Sequence, residues 1–169
     1  RLQRTMRDLE AFSTLARTWI GLGPDGIAKS LAKVLLSTLD LDIVYIRVAQ
    51  PGGSGFTETV CSKQRPDAEH CISEAKAPLA SFLTSVALAP VTMVPDPFGP
   101  GTLRTTVTRF DLVEEQGVLV VGSQRANFPT EQERLLLGLA ANQAVMVLQR
   151  QQAEQALQQS EERFRDCAN

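Results

Sequence analysis

The sequence predicts an α+β domain, an antiparallel sheet covered by helices. Three observations carry this. Ile43–Ala49 is β-branched and apolar on both faces, as a central strand is. Turn-rich clusters such as Pro51-Gly52-Gly53-Ser54-Gly55 join short strands by tight connections, which makes sequential neighbours antiparallel. Helical periodicity brackets those strands at both ends of the chain.

In order, Leu2–Ile20 reads as an amphipathic helix, with Leu2, Met6, Leu9, Phe12, Ala16 and Trp19 recurring at three- and four-residue steps on one face. Gly21-Leu22-Gly23-Pro24 breaks it. Asp25 is then placed to cap a second helix to about Leu39, with Ile27, Leu31, Val34 and Leu35 as its buried stripe. Phe56–Cys61 returns as the hairpin partner of Ile43–Ala49. Lys63–Glu69 is loop-like, Cys71–Ala89 gives one or two short helices, and Val91–Val94 is a short strand. Pro95–Gly101 is too rich in Pro and Gly for regular structure, and Leu103–Phe110 with Gly117–Val121 forms a second hairpin. Thr130 and Glu133 make a T-x-x-E capping box. The helix it opens is dense in Leu and Ala to Leu148, and then turns polar through Gln149–Gln159.

The chain has 169 residues, 43% of them hydrophobic and 21% charged, enough for one domain with a core plus connecting helices. A net charge of -2, with no basic stripe, disfavours nucleic acid as a partner. No apolar run is long enough to span a bilayer, and no signal peptide is visible. The chain begins at Arg1 and ends inside a helical pattern, so the expectation is a piece of a longer protein. Three cysteines without paired spacing fit a reduced cytoplasmic setting.

Few residues suggest chemistry. Gly21–Gly26 spells G-x-G-x-x-G, but the segment before it has helical periodicity, so it reads as a helix–helix turn and not as a dinucleotide site. His70, Cys71 and Cys61 are an incomplete metal set, because His70 is the sole histidine. The adjacent His70 and Cys71 are poorly placed as a catalytic dyad, and no serine elbow is present. Glu114-Glu115 reads as a solvated hairpin turn. In the polar tail, Arg150, Ala153, Leu157, Ser160 and Phe164 form an alternating 3/4 seam, readable as a solvated helix or as a weak two-helix connector.

Gly117-Val118-Leu119-Val120-Val121, followed by Phe128-Pro129-Thr130-Glu131-Gln132-Glu133 and the Leu- and Ala-rich helix with its Gln143-Ala144 pair, resembles the end of a GAF domain. That family opens its last buried strand with a glycine and follows it with F-(S/T)-x-E. The Asp25–Ala49 helix and strand fit the family's beginning, so the likeness covers about residues 8–149. Ser160-Glu161-Glu162-Arg163-Phe164-Arg165 resembles the opening of a PAS domain. The resemblance implies a sheet of five or six strands, terminal helices on one face, and lid helices and loops over a pocket on the other. Phe82, Met93 and Phe98 would line that pocket, with His70 and Cys71 at its lid. The cyclic-nucleotide set of the family is absent in order, the bilin cysteine context fails around Cys71, and haem finds only His70 as an axial ligand. All three cofactors are therefore disfavoured, and the ligand is left as an unidentified small molecule.

The expected division is an N-terminal signalling helix over residues 1–22, a GAF-like domain over 23–149 and a helical connector over 150–169 leading to a PAS domain. Leu2, Met6, Leu9, Ala153, Leu157 and Phe164 are the expected contacts of a parallel homodimer. The function implied is a non-catalytic sensory module in a bacterial, cytoplasmic two-component sensor histidine kinase or a diguanylate cyclase. Alternatives are a ligand-free dimerisation spacer and a methionine sulfoxide reductase-like enzyme using Cys61 and Cys71.

Overall fold

The structure, a computed structural model, describes residues 6, 7, 10, 14, 15, 17–49, 55–64, 91–111 and 116–168. The expected helices of 71–89, the turn at Glu114-Glu115 and the residues Leu2, Leu9, Phe12, Ala16, His70, Cys71 and Phe82 lie outside the described residues.

Two helices and five strands are described: α1 (Pro24–Thr38), β1 (Ile43–Ala49), β2 (Phe56–Ser62), β3 (Val91–Pro95), β4 (Thr102–Asp111), β5 (Gln116–Ser123) and α2 (Glu131–Ala168). The strands form one antiparallel sheet in the order β2-β1-β5-β4-β3. Ile43–Ala49 is central as expected, flanked by β2 and β5. Asp42 anchors its start: its N–H donates to Gly122 O at 2.9 Å, its carboxylate accepts from Gln124 N at 2.7 Å, and its carbonyl accepts from Lys63 N at 3.0 Å.

Before α1, the described positions between Met6 and Thr18 are helical, and the chain turns at Trp19–Gly21, where Gly21 takes φ 83°. The G-x-G-x-x-G stretch is thus a turn between helices that runs into the first turn of α1. Asp25 is not the cap of α1. Gly23 is the N-cap, without a side-chain hydrogen bond, because Pro24 takes the first helical position, where its fixed φ fits and its missing N–H costs nothing. Asp25 instead sits in the first turn, where its charge suits the helix dipole, and it pairs with Lys29 at 3.5 Å.

The sheet has two unlike faces. Alternation along β1 and β5 sends Val44, Ile46, Val48, Leu119 and Val121 to one side, where they pack with Leu15, Trp19, the α1 stripe and the buried face of α2. The α1 stripe is Ile27, Leu31 and Leu35 widened by Ala28 and Ala32. Trp19 is fully buried there, whereas Met6, expected on the same face, is 65% exposed. The other side carries a smaller cluster of Ile43, Tyr45, Val60, Val94, Leu103 and Val120, with Phe98, Val107 and Val118 against it.

Two glycines give opposite expectations. A Cβ on Gly122 would lie 2.9 Å from Ile43 Cγ2 and 3.1 Å from Thr105 Cγ2, whereas one on Gly138, inside α2, would meet nothing within 4 Å. Gly122→Ala should therefore destabilise by about 1–3 kcal/mol through overpacking. Gly138→Ala should stabilise by roughly 0.5–1 kcal/mol through helix propensity. Urea denaturation followed by the fluorescence of the single tryptophan reads both.

Candidate functional site

Helix α2 opens on the expected capping box. Glu133 N donates to Thr130 Oγ1 at 3.2 Å, while the Glu133 carboxylate accepts from Thr130 N at 3.3 Å and from Thr130 Oγ1 at 3.0 Å. The same carboxylate is also held by Arg125, a contact that no local spacing announces. Both guanidinium nitrogens of Arg125 donate to Glu133, and one also donates to Leu39 O at 3.0 Å, at the end of α1. Arg104, from β4, adds a bond from its Nε to Phe128 O at 2.8 Å. Phe128 is fully buried, and the peptide bond to Pro129 is cis. These contacts fix the angle at which α2 crosses the sheet.

The helix then runs for 38 residues without a break. It buries Leu136, Leu137, Ala140, Ala141, Ala144 and Leu148 on the domain. Beyond Gln152 every described residue is exposed. The last hold on the domain is Gln151, whose Nε2 donates to Leu22 O at 2.6 Å, in the turn between the N-terminal segment and α1. A groove of about 340 Å³ surrounds this contact, lined by Leu22, Pro24, Ala49, Leu148, Gln155 and Gln158 among others.

Opposite its buried face, α2 presents Leu135 (70% exposed), Leu139 (42%), Met146 (70%), Leu157 (63%) and Phe164 (78%). At 100° per residue these and Ala153 fall within about 40° of arc, one straight stripe some 44 Å long. The expected tail residues Ala153, Leu157 and Phe164 are therefore continuous with Leu135, Leu139 and Met146 on the domain itself, which the expected seam does not include. A 3.6-residue period was the available signal.

On the second face of the sheet, the expected pocket residues separate. Phe98 packs on the Tyr45 cluster, held by its N–H donating to Asp96 Oδ1 at 2.9 Å. Met93 pairs with Arg104 on the face that carries α2, and is 59% exposed. Cys61 is buried in the core on the helix face. Among the described residues no group of His, Cys, Asp and Glu could hold a metal, and no helix is long and apolar enough to cross a membrane.

Tyr45 sits at the centre of the second face, 2% exposed. Burial, then the nearby Glu58 carboxylate, push its hydroxyl up to about 12, while Arg47 pulls the other way.

No family model and no curated protein matches the sequence. Solved structures do match. A GAF domain assigned to a sensor histidine kinase of Pseudomonas syringae pv. tomato superposes with a TM-score of 0.57 at 17% identity, covering 93% of this chain and 97% of that one. The GAF domain of a phosphoenolpyruvate-protein phosphotransferase from Coxiella burnetii gives 0.56 at 11% identity, covering 90% and 98%. The fold is that of GAF domains. The five-stranded antiparallel sheet agrees with the α+β architecture expected from the sequence. In the GAF fold described here, α2 exceeds what the sheet can cover, and that excess is where the exposed stripe continues.

Tyr45 is the single tyrosine, so its titration can be read alone. Phenolate absorbance should rise with a midpoint near 12 in the folded protein and near 10 in urea. The folded state then keeps a proton that the unfolded state has lost, so stability is full below pH 10 and falls as pH rises towards 12. Tyr45→Phe should remove that part of the alkaline loss.

Proposed function

We propose that this chain is the regulatory GAF module of a multidomain bacterial signal-transduction protein, with a two-component sensor histidine kinase as the favoured parent and a diguanylate cyclase as the other. The observation that carries the reading is α2, which begins in the core of the sheet domain and continues about 20 residues beyond its last buried residue, Leu148. An isolated helix of that length is marginal in water. Here it extends an already nucleated helix, and its exposed apolar stripe calls for a partner surface. That partner is a second copy, in parallel, with the segment 1–22 beside it and a PAS domain following the Ser160–Arg165 sequence. The fold it shares with a GAF domain assigned to a sensor histidine kinase is consistent with this setting.

In this reading the module is non-catalytic and works in the cytoplasm. A signal at the second sheet face changes how the sheet seats α2, and the helix pair carries the change onward. Two packings differing by a few kcal/mol suffice for such a switch. The stripe suits it: it has one apolar contact about every turn or two, and its 3.6-residue period favours straight packing over a tight left-handed coil.

The second reading is a ligand-free dimerisation spacer, favoured by the closed packing of Ile43, Val60, Val94, Leu103 and Val120 around Tyr45. The reductase alternative is disfavoured by Cys61, whose thiol is buried on the helix face and away from Tyr45 and Phe98. Native mass spectrometry beside a denatured run separates the first two. A dimer retaining non-covalent mass supports the sensing module, whereas a dimer of bare chains supports the spacer.

Leu157→Asp places a charge on the stripe far from the domain. It should leave the thermal transition of the domain within about 2 °C, since surface changes alter stability by under roughly 0.5 kcal/mol. Self-association measured by sedimentation velocity at micromolar concentration should weaken at least tenfold. An unchanged dimer would remove the seam from the argument.

A further inference from the structure

Among the described side chains, the second face of the sheet carries one charged row. The register aligns Glu58 with Arg47, Arg47 with Val118, and Val118 with Arg109. Paired residues of an antiparallel sheet share a face, so Arg47 and Arg109 both stand on the Tyr45 side, flanking Val118. Their Cα atoms are two strand spacings apart, about 10 Å. Two arginine side chains can converge across that gap on a group lying above Val118.

Arg47 is half-buried near the end of a central strand, and its buried Nε has no hydrogen-bond partner among the described residues. Its guanidinium lies 4.9 Å from the centre of the Phe56 ring, which covers one side of it and leaves its edge unsatisfied. Among the described residues neither Arg47 nor Arg109 makes an ion pair, although Glu58 is directly across from Arg47. The Glu58 carboxylate also lies close enough to Tyr45 to push its hydroxyl up. A buried guanidinium donor without an acceptor costs more than an ordinary surface charge, and two arginines against the one carboxylate of Glu58 leave the row net positive. Val107 and Val118, both half-buried, supply an apolar floor beside the two cations.

We propose that this row binds a small carboxylate with an apolar body. Its carboxylate bridges Arg47 and Arg109 through charge-assisted hydrogen bonds, and its apolar part rests on Val107 and Val118. The carboxylate supplies an acceptor beside Arg47, whose Nε has none among the described residues. Arg109, exposed on β4, closes the site from the far side of β5. The site names the ligand chemistry for the sensing reading above and rests on that reading only for its consequence: occupancy is measurable whether or not the helices relay it.

The test is isothermal titration of the full chain with benzoate and hexanoate, beside benzamide and inorganic phosphate. At least one carboxylate should bind saturably with millimolar affinity, and benzamide should bind at least tenfold more weakly. Arg109→Gln should weaken the carboxylate at least tenfold while tryptophan fluorescence and the unfolding midpoint stay as in the parent. Arg47→Gln should do the same, and Leu157→Asp should keep the affinity unchanged, separating ligand binding from the helix seam. Binding by neither carboxylate, equal binding of benzamide, binding of phosphate alone, or full affinity in Arg109→Gln would each overturn the proposal.

Discussion

The contact on which the rest of the molecule depends is the clamp of Arg125 on Glu133. Three parts of the chain meet there: the end of α1 through Leu39 O, the segment after β5 through Arg125, and the first turn of α2 through Glu133 and Thr130. Glu133 is 8% exposed, so its charge would be costly without the guanidinium. Arg125 also lies 5.7 Å from the centre of the Phe128 ring, which links the ion pair to the apolar core beneath. With both partners in place, the first turn of α2 is fixed in position and direction, and the buried face of the helix follows onto the sheet. Without it, α2 would still be amphipathic, but nothing would choose its crossing angle.

Local signals were read well from the sequence because they depend on neighbours within a few residues. Ile43–Ala49 was a run of β-branched residues and is β1 residue for residue. Thr130 and Glu133 are three apart and cap α2 as their spacing required. Asp25 shows where a local rule can mislead. Two rules compete over adjacent positions, and the fixed φ of Pro24 moved the helix start one residue ahead of the carboxylate that could have capped it.

What the sequence did not show is set by sheet register and by long-range pairing. The family resemblance sets Met93 beside Phe82 and Phe98 as pocket lining. The pairing of Met93 with Arg104 puts it on the other side, and in an edge strand of five residues no buried pattern announces the parity. Gln151 is one of many glutamines in the tail, and its role depends on a carbonyl 129 residues earlier in the chain. Arg47 and Arg109 are 62 positions apart, and only the alignment of both with Val118 makes them a pair.

The unbroken length of α2 has a mechanical meaning. From Leu148, its last buried residue, to Ala168 the helix reaches about 30 Å without a glycine or proline. In the proposed signalling role it would act as a lever whose fulcrum is the Gln151–Leu22 contact. A tilt of about 5° at the sheet would move the far end by roughly 2.5 Å, on the scale of the helix shifts that switch subunit interfaces. A change too small to disturb the core would thus be magnified at the far end of the helix, and the bond from Gln151 to the turn before α1 ties that movement to the segment leading into α1.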